Sequence, residues 1–99
     1  MKDSWFVYIV QCRDKTLYTG CTNDVTRRIR QHNEGHGARY TKARCPVILK
    51  YQETTTSHSE ALKREAAIKK LPRHEKLQLI KTWRDAQRRK DRATLSVAA

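Results

Sequence analysis

The run of residues from Trp5 to Cys12, WFVYIVQC, determines the architecture of this chain more firmly than any other segment. Its aromatic and β-branched side chains occupy both sets of alternating positions, whereas a strand with one face in water alternates apolar with polar residues. The run therefore predicts a strand that is buried on both faces and lies inside a sheet. The polar turn Arg13–Lys15 follows, and TLYTGC at residues 16–21 predicts a second strand, which forms an antiparallel hairpin with the first.

A helix is predicted to follow this hairpin. Thr22 or Asn23 can cap it, and Asp24 lies in its first turn, where a negative charge suits the helix dipole. The helix ends at about Asn33, and two glycines then open a flexible basic loop over residues 35–44. One side of the helix carries three side chains that we expect to face the core: Val25, Ile29 and His32.

The second half of the chain predicts one more strand and two more helices. The strand VILKYQE follows Pro46, and the sequence leaves its direction in the sheet open. The next helix covers about residues 59–70, with Ser57 or Ser59 as its cap, and Pro72 stops it. Its expected core residues are Ala61, Leu62, Ala66 and Ile68. The last helix places three apolar residues at helical spacing: Leu77, Ile80 and Trp83.

These elements predict an α/β (α+β) domain over residues 1–83. Its small three-stranded sheet begins with the N-terminal antiparallel hairpin and is flanked by about three helices. Residues 84–99 begin with RDAQRRKDR, which is charged on every side. This segment is either a solvated helical extension or a flexible basic tail, and we expect Thr94–Ala99 to be disordered.

The chain is strongly basic, with 22 lysine and arginine residues against 10 acidic residues, a net charge of +12 and a pI near 10.1. Such an excess of positive charge repels itself and attracts polyanions. Nucleic acid is the usual partner of a folded basic domain, although an anionic membrane surface or no polyanionic partner at all are alternatives. The sequence has no signal peptide, lipidation motif or long apolar run, so we expect no membrane partner.

The cysteines Cys12, Cys21 and Cys45 are widely spaced and suggest no disulfide framework, which favours a reducing, cytoplasmic location. His32 and His36 are four residues apart and could share a helix face. A zinc site would still need two of the distant cysteines, and a glycine ends the helix before the second histidine. Ordinary thiols and imidazoles are therefore favoured over structural zinc.

Tyr8 and Tyr18 are candidate functional residues on the two hairpin strands. They are separated by an even number of residues. Because side chains alternate along a strand, an even register places both phenols on one sheet face, opposite or diagonal to each other. Tyrosine is also a good strand residue, and packing is the favoured interpretation for either tyrosine alone.

Two charged residues stand beside the apolar sides of predicted helices. Arg28 shares a helix side with His32, where a guanidinium can brace a phosphate, although composition alone favours a solvated arginine. Glu65 stands at the edge of an apolar stripe, where a carboxylate is costly unless it is paired or binds a cation. A salt bridge to Arg64, to Lys69 or to a basic residue across the core would account for it, and so would a role as a Mg²⁺ ligand.

Two phenols, a guanidinium, an imidazole and a carboxylate are groups suited to phosphodiester hydrolysis. Val7-Tyr8-Ile9 and, about ten residues on, Tyr18-Thr19-Gly20 resemble the two motifs that name the GIY-YIG nuclease superfamily. The resemblance covers roughly residues 4–82 and is greatest to the small stand-alone members. It continues through Thr22-Asn23, Arg28-Ile29, His32-Asn33, Ala38-Arg39-Tyr40-Thr41, Glu60-Ala61-Leu62 and the segment from Glu65 to Lys70. Each motif alone is weak, whereas the ordered series is specific.

This resemblance implies an endonuclease that hydrolyses DNA with Mg²⁺ or Mn²⁺, in DNA repair or in the processing of branched structures. It implies a catalytic set of Tyr8, Tyr18, Arg28, His32 and Tyr40, with Glu65 as the metal ligand. One of the paired tyrosines would help to deprotonate the attacking water, with its pKa lowered by the arginine and the metal, and the arginine would contact the scissile phosphate or the base. Six further basic side chains are expected to contact nucleic acid: Arg27, Arg30, Arg39, Lys42, Arg44 and Lys69.

The sequence departs from the family in two places. Val7 stands where the family name has its first glycine, and no asparagine follows Glu65 as it does in some larger members. A protein partner that supplies specificity is left open, since the DNA-recognition domain of larger members is not found here. A non-catalytic nucleic-acid-binding module on the same scaffold is the main rival, and an RNA- or ribosome-associated protein is the third reading. The retained Tyr8, Tyr18, Arg28 and Glu65 favour catalysis, because a binding module needs no carboxylate that faces a phosphate groove. Val7 and the missing recognition domain favour the rival.

Overall fold

The computed structural model describes residues 4–98, with side chains through Asp91. Seven elements follow in chain order: β1 (Trp5–Gln11), β2 (Leu17–Thr22), α1 (Val25–Asn33), α2 (Arg39–Lys42), β3 (Ile48–Thr55), α3 (His58–Lys69) and α4 (Arg73–Ala98). The predicted α+β class with an N-terminal hairpin is confirmed. The additional helix α2 lies in the segment that the sequence predicted to be an irregular basic loop.

The sheet has the order β2-β1-β3, and both strand pairs are antiparallel. β1 is the central strand, as its apolar run predicted, and its residues Val7, Tyr8, Ile9 and Val10 are each 1% exposed or less. The direction of β3, which the sequence left open, is antiparallel to β1. Tyr51 pairs with Ile9 and Leu49 with Val10, so one extra residue of β3 forms a bulge between them.

The two faces of the sheet carry different clusters. On one face α3 packs against β1 and β2 and α4 packs against β3, and the buried core there consists of Val7, Ile9, Tyr51, Ala61, Ile68 and Ile80. The other face carries Tyr8, Val10, Cys12 and Val47, with Tyr18, Ile29 and Leu49 packed against them. Because α1 covers only part of this second face, polar groups placed there can reach both the interior and solvent.

The helix caps differ from the prediction by one residue at α1. Asp24 is the N-cap rather than a first-turn residue, and its carboxylate accepts the Arg27 N–H at 3.0 Å. Thr22 still belongs to β2, and its hydroxyl accepts the Asp24 N–H at 3.1 Å. At α3 the cap is Ser57, one of the two predicted serines, which accepts the Glu60 N–H at 3.1 Å. Both caps satisfy N–H groups that the first helical turn leaves unpaired.

Two residues predicted to be in the core are exposed instead. In α3, Ala61 and Ile68 are buried, but Leu62 is 49% exposed and Ala66 is also exposed. The buried residues are seven apart, two helical turns, so α3 meets the sheet along a narrow line and its neighbouring apolar positions face solvent. Of the three apolar residues at helical spacing in α4, Ile80 is buried, Trp83 is half-buried and Leu77 is exposed.

The charged segment after Trp83 continues α4 as a helix. Of the two forms predicted for it, the helical extension is the one observed, and the backbone is helical to Ala98 in place of the disorder expected from Thr94. Ala99 lies outside the described residues, and the flexibility expected for residues 84–99 stays a prediction. None of the helices within residues 4–98 combines the length and apolar character needed to cross a bilayer.

Candidate active site

A chain of buried polar groups joins β1, α1 and α2. The Tyr8 hydroxyl lies 2.8 Å from Nε2 of His32, and Nδ1 of the same imidazole lies 2.7 Å from the Thr41 hydroxyl. All three side chains are 1% exposed or less. The Thr41 hydroxyl donates to the Ala38 carbonyl at 3.1 Å and accepts the Ala38 N–H at 3.2 Å. Each of these buried side chains therefore has a hydrogen-bond partner.

Two glycines make room for this chain. Gly20 lies opposite Tyr8 in the β1–β2 pair, and a β-carbon there would approach the Tyr8 hydroxyl to 2.6 Å. A β-carbon at Gly37, in the loop between α1 and α2, would overlap the His32 imidazole at Nδ1 and Cγ. Only glycine leaves space for both rings at these positions without a shift of the backbone.

Arg28 places a cation beside the Tyr8 hydroxyl. Its guanidinium is half-buried and donates to the Gln31 side-chain oxygen at 3.1 Å and to the Gly37 carbonyl at 3.2 Å. This fixed position differs from the solvated arginine that composition alone favoured. Because its donors point in several directions, the guanidinium keeps the capacity to contact a phosphate at the rim of the site.

Burial dominates the ionisation of the site. It raises the pKa of Tyr8 to about 12, although the hydrogen bond and the charge of Arg28 both lower it. Burial, followed by the Arg28 charge, lowers the pKa of His32 to about 4. At neutral pH the phenol is protonated and the imidazole is neutral. The expectation that Arg28 would lower the tyrosine pKa is correct in direction, but burial outweighs it.

Tyr18 and Tyr40 connect the buried chain to the surface. Tyr18 pairs with Val10, so it lies diagonal to Tyr8 on the same sheet face, one of the two predicted arrangements. Its ring meets the edge of the His32 ring at 5.6 Å and stacks on Tyr40, with centroids 5.9 Å apart. Tyr40 is 37% exposed. The aromatic path thus leads from the imidazole to solvent.

Glu65 reaches the same region from α3, around the β2 edge of the sheet. Its carboxylate lies 2.8 Å from the Lys69 ammonium, and its side chain is 18% exposed against 48% for Lys69. The Lys69 ammonium is 5.6 Å from the Tyr18 ring centroid. Burial and the Glu65 carboxylate raise the pKa of the neighbouring Cys21 thiol to about 11. Of the two predicted ion-pair partners, Lys69 is the one present, since Arg64 pairs with another carboxylate.

The carboxylate of Glu65 is the metal donor that the region offers. Within residues 4–98, no three histidine, cysteine, aspartate or glutamate side chains lie close enough together to hold a metal ion. Such a set would be needed for structural zinc. Mg²⁺ instead takes one or two carboxylates and completes its shell with water and substrate phosphates. A single carboxylate at the rim of the site fits that pattern.

The six basic residues predicted to contact nucleic acid divide into two groups. Four are exposed on α1 and α2: Arg27, Arg30, Arg39 and Lys42. The other two are already paired within the protein. Arg44 donates to Asp14 at 3.1 Å and lies over the Tyr40 ring at 4.0 Å, and Lys69 is the partner of Glu65. Arg39 and Lys42 share the short helix α2 with the exposed Tyr40.

Two site residues were given no role from the sequence. Thr41 contacts the imidazole through a hydroxyl on a four-residue helix, which is too short to produce a periodic pattern. Gly37 was assigned only to the end of α1, yet it also makes space for His32. The motif Ala38-Arg39-Tyr40-Thr41, which contains Thr41 and directly follows Gly37, was the sequence signal that could have pointed to them.

Val7, which was matched to the first glycine of the family name, does not contact the site. Val7 is fully buried on the opposite face of the sheet, in the cluster with Ile9. If Tyr8 is the tyrosine of the Gly-Ile-Tyr motif, the glycine position is Phe6, two residues earlier and on the face of Tyr8. Phe6 is half-buried and pairs with Thr22, the last residue of β2.

A groove of about 500 Å³ lies elsewhere, between β3 and α4. It is lined mainly by apolar atoms, from residues that include Tyr51, Leu71, Leu79, Trp83 and Ala86. None of the candidate catalytic residues lines it. A phosphodiester backbone binds an open basic surface rather than an enclosed pocket, so the position of this groove does not argue against the site at the β2 edge.

Known proteins resemble this chain closely. The model of the GIY-YIG catalytic domain matches residues 4–78. A UPF0213 protein of Staphylococcus aureus (strain Mu3 / ATCC 700698) is 58% identical over 79 residues, which cover 80% of this chain and 96% of that protein. The solution NMR structure of the UPF0213 protein BH0048 from Bacillus halodurans is 42% identical in sequence, with a TM-score of 0.52. The match covers 80% of this chain and 84% of the BH0048 chain. That of EF2693 from E. faecalis is 41% identical, with a TM-score of 0.56 and coverages of 85% and 92%. This chain therefore belongs to the GIY-YIG family, whose catalytic domain accounts for most of its length.

Proposed function

We propose that this protein is a divalent-metal-dependent endonuclease that hydrolyses phosphodiester bonds in DNA. The observation that carries the proposal is the buried hydrogen bond between Tyr8 and His32, with the Arg28 cation beside it and the Glu65 carboxylate at its rim. These groups provide a proton acceptor, charge stabilisation and a metal ligand around one opening. The match to the GIY-YIG catalytic domain over residues 4–78 supports an enzymatic role.

The proton path begins at an attacking water that must enter with the substrate, because Tyr8 is 1% exposed in the free protein. Water gives a proton to the Tyr8 oxygen while the Tyr8 proton moves to Nε2 of His32, 2.8 Å away. Before substrate binds, the pKa values of about 12 for Tyr8 and about 4 for His32 oppose this transfer. A bound phosphodiester anion offsets the Arg28 charge, which raises the pKa of His32 and favours the transfer only when substrate is present.

Arg28 stabilises the negative charge that develops on the phosphate. It is held by Gln31 and by the Gly37 carbonyl, so little reorganisation is needed when substrate arrives. The guanidinium also matches two phosphate oxygens at once. The diagonal Tyr18 and the exposed Tyr40 complete the wall on which the substrate lies.

Glu65 would hold Mg²⁺ or Mn²⁺ in place of its bond to Lys69. Lys69 is half-exposed, so its ammonium can leave the carboxylate and pair with a phosphate at low cost. When bound, such an ion neutralises charge on the phosphate oxygens.

DNA is the substrate that we infer, with repair or the processing of branched structures as the setting. The net charge of +12 and the exposed basic residues of α1 and α2 support a polyanionic partner. A cytoplasmic location and a protein partner that supplies specificity stay predictions from the sequence.

A non-catalytic nucleic-acid-binding module is the second candidate. The Glu65–Lys69 ion pair favours it, because a carboxylate neutralised by lysine needs no metal. Such a module would bind the same nucleic acids and leave them intact.

Incubation of the purified protein with supercoiled plasmid, branched DNA and RNA separates these candidates. We expect Mg²⁺ or Mn²⁺ to support cleavage of DNA, most readily at the branch, and EDTA to abolish it. Binding to all three without cleavage in either metal would overturn the enzyme and support the module.

A further inference from the structure

Thr41 is a buried hydroxyl that the proposed chemistry does not yet use. We propose that Thr41 is a positioning residue that fixes the tautomer of His32, keeping the proton on Nδ1 so that Nε2 is free to accept the proton of Tyr8. This inference rests on the proposed function of the Tyr8–His32 pair. Nothing in the substrate contacts of the site requires Thr41, which is fully buried.

The hydrogen bonds of Thr41 favour one direction for its contact with His32. A neutral imidazole has one N–H and one bare nitrogen, and a threonine hydroxyl has a single hydrogen. The hydroxyl lies 3.1 Å from the Ala38 carbonyl, to which it can donate, and 3.2 Å from the Ala38 N–H, which it accepts. When the hydrogen is given to the carbonyl, the oxygen meets His32 as an acceptor at 2.7 Å, and Nδ1 then carries the imidazole hydrogen.

The opposite end of the imidazole leads to the same assignment. The Arg28 guanidinium has only donors, and its charge lies beside the Tyr8 oxygen. If Nε2 carried a hydrogen, Tyr8 would face that donor and its own hydrogen would lack a buried acceptor, because Tyr8 is 1% exposed and His32 is its hydrogen-bond partner. With Nε2 bare, the Tyr8 hydroxyl donates to it at 2.8 Å. In the described part of the chain, no buried side-chain nitrogen or oxygen is left without a partner.

The backbone around Thr41 holds its oxygen in place. The Lys42 N–H bonds to the Ala38 carbonyl at 3.0 Å, and the Arg44 N–H bonds to the Thr41 carbonyl at 2.9 Å. Gly37 allows this turn to approach the imidazole closely. The sequence indicated α2 only as part of a basic loop. This helix carries both the exposed Tyr40 and the buried Thr41, which bonds to Nδ1 of His32.

The tautomer can be measured directly in the wild-type protein. Two-bond ¹H–¹⁵N correlation spectra of ¹⁵N-labelled protein should show Nδ1 of His32 protonated and Nε2 bare. Thr41→Val removes the acceptor at almost constant shape, so the hydrogen should move to Nε2, and Thr41→Ser should restore the wild-type pattern. Cleavage should fall roughly 10²- to 10⁴-fold in Thr41→Val and recover in Thr41→Ser, as expected when a general base is in the wrong tautomer.

Thr55→Val is the matched control, because its hydroxyl also bonds backbone carbonyls but lies at the end of β3, away from His32. It should keep both the tautomer and the cleavage rate. A protonated Nε2 in wild type would overturn the proposal, and so would an unchanged tautomer in a folded Thr41→Val, whatever its activity. If the valine variant does not fold, Thr41→Ala gives the same test. Wild-type protein that cleaves nothing in any metal would instead refute the proposed function and leave the tautomer result standing.

Discussion

At the Tyr8 hydroxyl, burial and charge act in opposite directions. Burial raises its pKa most, and the nearby Tyr18 and Glu65 raise it further, whereas Arg28 lowers it. The net result is a pKa of about 12. A phenol that holds its proton this firmly cannot act alone as a base at neutral pH. Its catalytic role therefore depends on a neighbour that takes the proton, and the neutral His32 lies at hydrogen-bonding distance.

Tyr8→Phe tests this dependence, because it keeps the ring and removes only the hydroxyl. We expect cleavage to fall roughly 10²- to 10⁴-fold. Unfolding in denaturant should show a loss of about 1–3 kcal/mol, since His32 loses a buried partner. Tyr51→Phe is the matched control: its buried hydroxyl donates to Glu53, and its ring packs with the core on the opposite face. This control should lose similar stability and keep its cleavage rate, and equal cleavage by both variants would remove Tyr8 from the mechanism.

Single residues were predictable from the sequence where strand or helix periodicity placed them. Alternation along the hairpin put Tyr8 and Tyr18 on one face, and helical spacing put Arg28 beside His32, which is where the structure has them. Thr41 was not predictable, because its contact depends on a turn that brings residues nine apart together. The net pKa shift of Tyr8 was not predictable either, since burial is a property of the assembled fold.

Among the elements, α2 and the loop before it carried the least sequence signal. Two glycines and several basic residues favoured a flexible segment, whereas tertiary contacts with His32 order it. The core side of α3 was misjudged for a related reason. An apolar stripe in the sequence does not reveal how narrow the contact with the sheet is, so Leu62 and Ala66 were wrongly placed inside.

Gly37→Ala tests the role of this loop. The added methyl group would overlap the His32 imidazole, so the ring or the loop must shift. We expect the free energy of unfolding to fall by about 1–3 kcal/mol. The kcat for DNA cleavage should be lower than that of wild type. Gly35→Asn is the control from the same loop, because Gly35 has a φ of +82° that asparagine tolerates and open space around its β-position. Cleavage unaffected by Gly37→Ala would show that the imidazole position is not critical.

The C-terminal part of α4 should serve binding rather than folding. Truncation after Gln87 removes four basic residues and one acidic residue, and Arg88–Lys90 are exposed. Ala86, which lines the groove against β3, remains. We expect the Tm to change by less than about 4 °C and the Kd for DNA to rise several-fold. Full-length protein with glutamine at 88–90 should match the affinity of the truncation. A large fall in Tm would mean that this segment packs against the domain.

At the scale of the whole molecule, one sheet serves two purposes. Its α3–α4 face supplies the apolar core, and its other face carries the Tyr8–His32 chain, which opens at the β2 edge. The central position of β1 followed from its apolar run in the sequence. The antiparallel direction of β3 did not, because the residues between β2 and β3 are numerous enough to connect either orientation.

The distribution of charge predicts how binding responds to salt. Each phosphate that the protein neutralises should add about 0.9 to the slope of log Kd against log salt for duplex DNA. Arg30→Ala and Lys42→Ala, at exposed positions of α1 and α2, should each reduce the slope by about that amount. Lys63→Ala should leave it unchanged, since Lys63 lies on α3 and pairs with Glu60. Affinity that does not depend on salt would contradict a nucleic-acid partner.

Metal-dependent cleavage of one DNA substrate by wild type, Glu65→Ala and Glu53→Ala tests the central claim most directly. Glu65→Ala should fold, because its partner Lys69 is half-exposed and such an ion pair is worth about 0–1 kcal/mol. Without metal it should bind DNA equally or slightly more tightly, since a negative charge has left the groove. With Mg²⁺ or Mn²⁺ it should cleave orders of magnitude more slowly than wild type, whereas Glu53→Ala, which breaks an ion pair with Arg64, should cleave normally. A folded Glu65→Ala that cleaves as fast as wild type would contradict the account.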